Sequence, residues 1–126
     1  MRKAFALIPV LAAASPAIAV SGFDGNWAIS FGQLAMYGVS GEAAFSDGKG
    51  SLRFFGGGAA SNNNPCLNKR LPAVIKSVTD SEVEIDVDGG KILTGCLTET
   101  LILRPGANDS WIGTLSSGYG VTWTRK

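Results

Sequence analysis

The chain has 126 residues, and setting aside an expected export segment over residues 1–19 leaves 107, enough for one modest domain and too few for a two-domain enzyme. Eleven basic and ten acidic side chains nearly cancel; without Arg2 and Lys3 the balance is nine to ten, which gives no electrostatic footprint for nucleic acid. There is no histidine, so Ser-His-Asp and Cys-His nucleophile systems are excluded and the commonest transition-metal ligand is missing.

The N-terminal residues read as a secretory signal. Arg2 and Lys3 form a basic start, Ala4 to Ala14 an apolar stretch interrupted only by Pro9, and Ala17-Ile18-Ala19 a small-residue cleavage pattern. The run is shorter than the roughly 20 apolar residues that a membrane span needs. The segment before the cleavage pattern also carries two prolines, Pro9 and Pro16. Val20 would begin the mature chain and offers no cysteine for lipid attachment. The expectation is a periplasmic or secreted protein with no membrane span.

From Asn26 onward the pattern is that of short strands separated by Gly, Asn, Asp and Ser. Asn26 to Leu34 puts Trp27, Ile29 and Phe31 on one face. Gly38 to Phe45 and Ser51 to Phe55 follow. Gly56 to Pro65 is small and polar and predicts a surface loop. Leu67 to Pro72 then forms a tip beside Cys66. Next come Ala73 to Thr79 and Ser81 to Asp88, where Val83, Ile85 and Val87 alternate with Glu82, Glu84, Asp86 and Asp88. Asp88-Gly89-Gly90-Lys91 predicts a hairpin turn into Ile92-Leu93-Thr94. The remaining strands are Leu97 to Leu103, Ser110 to Leu115 and Tyr119 to Thr124. That makes about nine strands, and no stretch of ten residues after the signal has a helical period free of Gly and Pro. The predicted fold is all-β, a small antiparallel meander barrel, with a two-layer sandwich as the alternative.

Cys66 and Cys96 are the only cysteines, and an even pair in an exported chain predicts a structural disulfide. Their spacing is unlike a C-x-x-C redox or metal motif, and no metal or other cofactor is expected.

The segment Phe23-Asp24-Gly25-Asn26-Trp27 resembles the Gly-x-Trp signature on the first strand of lipocalins and the wider calycin group, and Trp123-Thr124-Arg125 matches the arginine on the last strand of that group. The resemblance implies that Arg125 packs on Trp27 across the barrel floor, gaining cation–π attraction while its donors satisfy backbone carbonyls. It also implies a cup for small hydrophobic ligands, although strands of about six residues favour an interior filled by the barrel's own side chains. A second resemblance is to the periplasmic inhibitors of bacterial metalloproteases. These are short exported barrels with a single disulfide, an early Gly-x-Trp and an N-terminal arm, here Val20 to Asp24, that reaches the protease. Their disulfide lies earlier in the chain than Cys66 and Cys96.

Several groups could carry function. Lys69 and Arg70, with Leu67, sit on the tip restrained by Cys66, and restraint lowers the entropy lost on binding. Phe23 and Asp24 belong to the arm. The row Glu82, Glu84, Asp86, Asp88 spaces its carboxylates nearly 7 Å apart along one strand, which suits a solvated face better than a calcium site. Trp111, Trp123, Phe54 and Phe55 read as core filler. Asn108-Asp109-Ser110 matches the glycosylation triplet, and Gly56-Gly57-Gly58 lacks the residues of a phosphate loop. Tyr37 and Tyr119 would serve as acid–base groups only with strongly perturbed pKa values. The expected function is non-enzymatic binding of a protein or a small hydrophobic ligand by a monomer. The alternative is protease inhibition through the arm or the Cys66 to Pro72 loop.

Overall fold

The computed structural model describes residues 20–32, 38–56 and 64–126. The signal at 1–19, the end of the first predicted strand at 33–34, Tyr37 and the loop stretch 57–63 lie outside the described residues. Eight strands form: β1 (Gly25–Phe31), β2 (Ser40–Ser46), β3 (Lys49–Phe55), β4 (Arg70–Val78), β5 (Val83–Asp88), β6 (Thr98–Pro105), β7 (Trp111–Thr114) and β8 (Gly120–Arg125). Each pairs antiparallel with the next, and β8 pairs back onto β1, so the sheet closes as a meander barrel rather than a sandwich. Closure leaves no free edge in the strand order.

Period-two alternation builds the interior. Trp27, Ile29 and Phe31 of β1 point inward, as do Val83, Ile85 and Val87 of β5, and all six are buried. In β4 the register shifts between Ile75 and Ser77, leaving Lys76 and Ser77 both exposed and bringing Val78 back inside. Such a bulge adds local twist, which helps a short sheet curl shut. Gly50 marks the tightest approach of β2 and β3, because a Cβ there would stand 1.7 Å from the Ala44 carbonyl oxygen.

Two expectations need correction. Ile92-Leu93-Thr94 is not a strand, which is why there are eight rather than nine. Gly89 to Lys91 make a 3-10 turn, and Gly89 N–H donates to the Leu97 carbonyl at 2.7 Å, closing the β5–β6 ladder at Asp88 and Thr98. The triplet is left in the connecting loop with Ile92 50% exposed. The tip also shrinks: Arg70, Leu71 and Pro72 belong to β4, paired with Arg53, Leu52 and Ser51. Pro72 is tolerated because the β5 ladder starts only at Ala73, so β4 is paired on one side at that point.

Candidate functional site

The two ends of the barrel differ in chemistry. At the floor, where β1 begins and β8 ends, the arm folds into a 3-10 turn over Val20–Phe23. Phe23 is 2% exposed and stacks on Trp27 with ring centroids 4.3 Å apart. Trp27 Nε1 donates to the Phe23 carbonyl at 3.0 Å. Trp111 meets Phe23 edge-on at 5.8 Å, and Trp123 stacks with Phe45 at 6.3 Å. Arg125 lies outside this layer, its guanidinium carbon 4.2 Å from the Trp27 ring centroid. Its Nη1 donates to Asp24 O at 2.7 Å and its Nη2 to Gly22 O at 3.2 Å. The floor is packed.

The arm residues singled out from sequence serve this packing. Phe23 is inside the barrel, not presented outward. Asp24 accepts the backbone N–H of Asp47 at 2.7 Å and of Gly48 at 3.0 Å. Those two residues have φ of 55° and 78°, the conformation of a tight hairpin turn, so the Asp24 carboxylate pins the arm to the β2–β3 turn.

The opposite end is an apolar mouth of about 350 Å³. It is walled by Phe31, Phe54, Leu67, Leu71, Leu97 and Leu115, with Tyr119 at its rim. These are the inward residues nearest the mouth ends of their strands, or residues of the loops beside them. The Cys66–Cys96 disulfide borders the mouth, with Cα atoms 5.5 Å apart, and joins the turn before β4 to the loop before β6. Asn64 Oδ1 accepts the Cys66 N–H at 2.9 Å, and Asn68 N–H donates to the Phe54 carbonyl at 2.6 Å. Leu67 is thereby held against the mouth. Lys69 is exposed, and Arg70 stands on the outer wall beside Arg53. Leu67, Lys69 and Arg70 therefore do not share one surface.

The acidic row lies outside the barrel and is largely paired. Glu82 accepts from Arg104 at 3.0 Å, Asp86 lies 3.4 Å from Lys76, and Asp88 lies 3.7 Å from Lys91. Asp86 also accepts from Thr100 Oγ1 at 2.7 Å. That hydrogen bond, helped by Lys76, holds its carboxyl below the ordinary value of 3.8. Among the described residues no three His, Cys, Asp or Glu side chains cluster as metal ligands. Ser110 of the glycosylation triplet is buried, and its hydroxyl donates to Ala107 O at 2.7 Å. Glu99, unremarked in the sequence, accepts the Ser116 N–H at 3.0 Å and the Ser116 hydroxyl at 2.5 Å. It ties the β7–β8 turn to the start of β6. A hollow of about 520 Å³ beside β7 and β8 has four glycines, Gly32, Gly113, Gly118 and Gly120, among its nine lining residues. It offers few side chains with which to discriminate a ligand.

Fold and site together define an eight-stranded antiparallel meander barrel with a packed aromatic floor, an apolar mouth and one disulfide beside that mouth. Comparison of the chain with known protein families, curated proteins and solved structures finds no match.

Proposed function

We propose that this is an exported, non-enzymatic binding protein that takes a small hydrophobic ligand in the mouth of the barrel. The observation that carries the reading is the apolar mouth of about 350 Å³, just above the lower bound of about 300 Å³ for small-molecule sites. The disulfide supports it by fixing two of the mouth's segments before a ligand arrives, which reduces the ordering cost of binding. The sealed floor, with Arg125 over Trp27, supports a miniature calycin-like cup. Titration with neutral N-phenyl-1-naphthylamine tests the reading. Saturable fluorescence enhancement is expected, weakened at least about tenfold by Leu67→Asp with the melting temperature kept. Enhancement that never saturates, or that ignores the substitution, counts against it. Export is tested by N-terminal sequencing of the mature protein, expected to begin at Val20.

Protease inhibition keeps one specific support, the turn at Asn64 to Asn68 preorganised by Cys66 and by the Asn64 and Asn68 hydrogen bonds. A panel of exported metallo- and serine proteases, assayed with the mature protein and with Lys69→Ala, tests it. Absence of inhibition across the panel removes that reading.

A further inference from the structure

A second surface lies on the outer wall across β1 to β4, away from the mouth. Register places Glu42 of β2 opposite Arg53 of β3, and Arg53 opposite Arg70 of β4. Residues directly opposed across a sheet have Cβ atoms about 4.5–5.5 Å apart, and like charges so placed destabilise the pairing unless something neutralises them. Lys126 adds a third cation, with its Nζ 3.0 Å from Glu42 Oε1. All ten acidic side chains of the protein are among the described residues. None of them forms an ion pair with Arg53 or Arg70. Three cationic side chains thus face the single Glu42 side-chain carboxylate.

An independent observation points into the same place. Arg53 Nε–H is buried and has no acceptor among the described residues. A buried donor without a partner is costly, and a donor so placed can be satisfied by an acceptor from outside the chain. The guanidinium is held in position by the ring of Phe55, 5.0 Å from its centroid. Arg53, Arg70, Lys126 and Glu42 together line a small depression of about 50 Å³, with Ser51 and Asn26 at its sides. Guanidinium groups present planar forks of N–H donors that match oxyanions, and charge-assisted bonds of this kind are the strong ones.

We infer that this depression is an anion site for a phosphate dianion, free or carried as a small monoester, bound by Arg53 and Arg70 with Lys126 beside them. Donor geometry selects the ligand: the guanidinium forks of two arginines opposed across adjacent strands can serve several oxygens of a tetrahedral group, whereas a carboxylate offers only two. The neutral donors of Ser51 and Asn26 can serve further oxygens of a tetrahedral group. Glu42 feels the charge of both arginines, but its hydrogen bond goes to Lys126, at 3.0 Å, and to neither guanidinium.

The test is a ¹⁵N-correlated titration of the mature protein at pH 7.5 and constant ionic strength, following the Arg53 Nε–H signal. Parallel arms use sodium phosphate, glycerol 3-phosphate and sodium acetate. A saturable shift with phosphate is expected, weakened at least about tenfold in Arg70→Gln. Lys76→Gln, which disturbs only the distant Asp86 pair, should leave it unchanged. Saturation with both phosphate compounds supports a site for a terminal phosphate group, and saturation with inorganic phosphate alone supports a site for the free ion. Thermal melts check folding of each variant, and Lys126→Gln provides a second lesion expected to weaken binding. Acetate binding as tightly as phosphate, shifts that remain linear, or indifference to Arg70→Gln would overturn the assignment.

Discussion

Reducing the Cys66–Cys96 bridge should lower stability substantially while leaving the native barrel in place. The bridge spans 30 positions of sequence, and the chain-entropy account gives about 3.7 kcal/mol at 25 °C for a closed loop of that size. Domains of this class have about 5–15 kcal/mol in total, so the bridge would supply a quarter or more. At roughly 4 °C per kcal/mol for a domain near 100 residues, the melting temperature should fall by about 15 °C. The structure also says where the loss should not appear. The bridge sits at the mouth, while the aromatic layer of Phe23, Trp27, Phe45 and Trp123 sits at the floor. Near-ultraviolet circular dichroism at 20 °C should therefore survive reduction, and affinity for an apolar probe at the mouth should not. The assay is a pair of melts with and without a phosphine reductant, repeated on Cys66→Ala/Cys96→Ala. A drop under about 5 °C, or loss of the aromatic signal on reduction, would refute the reasoning.

Three further predictions address the floor and the outer wall. Phe23→Ala should destabilise by about 3–5 kcal/mol, because it empties a site inside the aromatic layer; denaturant unfolding that shows less than about 1 kcal/mol would mean that the arm is not a plug. Trp27→Phe should cost about 1–2 kcal/mol more than Trp123→Phe, since only Trp27 has a hydrogen bond to lose, to Phe23 O, whereas the buried Trp123 Nε1 has no partner among the described residues; equal losses in chemical denaturation would contradict this. Glu42 is held below its ordinary value of 4.5, first by the hydrogen bond from Lys126 and then by the charges of Lys126, Arg53 and Arg70, and Asp86 is held below 3.8. A carboxylate with a lowered folded pKa contributes stability that is complete above its unfolded value and lost as pH falls through the folded one. The urea midpoint should therefore decline below about pH 4.5, and Glu42→Gln with Asp86→Asn should flatten that decline; an unaltered acid limb is the contrary result.

The alternation of Val83, Ile85 and Val87 against Glu84, Asp86 and Asp88 was enough to place β5, and that of Trp27, Ile29 and Phe31 to place β1, because a half-buried strand writes its two faces directly into the sequence. Ile92-Leu93-Thr94 misled because three apolar-rich residues carry no information about whether a neighbouring strand is available. The partner of β5 was decided by the bond from Gly89 N–H to the Leu97 carbonyl, a contact between two unremarkable loop ends. Arg70 and Pro72 looked like loop residues for their polarity and their ring, and register with β3 made them strand. The mouth was less legible than the fold. Period two says that Phe31, Phe54 and Leu71 face inward, but not that they lie at an end where the interior meets solvent, so Phe54 read as filler. The Arg53–Arg70 pairing was invisible for the same reason: the two are neighbours only through the β3–β4 register.

The asymmetry of the barrel follows from where the large rings fall along short strands. A seven-residue strand rising about 3.3 Å per residue offers only three or four inward positions, and β1 uses three of them for Trp27, Ile29 and Phe31. At the Trp27 level the neighbours Phe45 and Trp123 are also aromatic, and Phe23 is added from the arm. Four rings fill the cross-section, and Arg125 closes the remaining face by bonding the Asp24 and Gly22 carbonyls. One level up, Ile29, Ala43 and Val121 are smaller, and the strands pack by aliphatic contact. At the Phe31 level the disulfide and Leu67 border the space without filling it, which leaves the hollow at the mouth. A ligand entering there meets a wall held by a covalent bond and a base already packed, so its affinity would come from apolar surface buried at the rim and not from reorganising the core. The same rigidity explains why an anion site on the outer wall can be independent of the mouth. Outward side chains such as Arg53 and Arg70 belong to the opposite parity of the same strands, and they can bind or release a ligand without moving the inward layer.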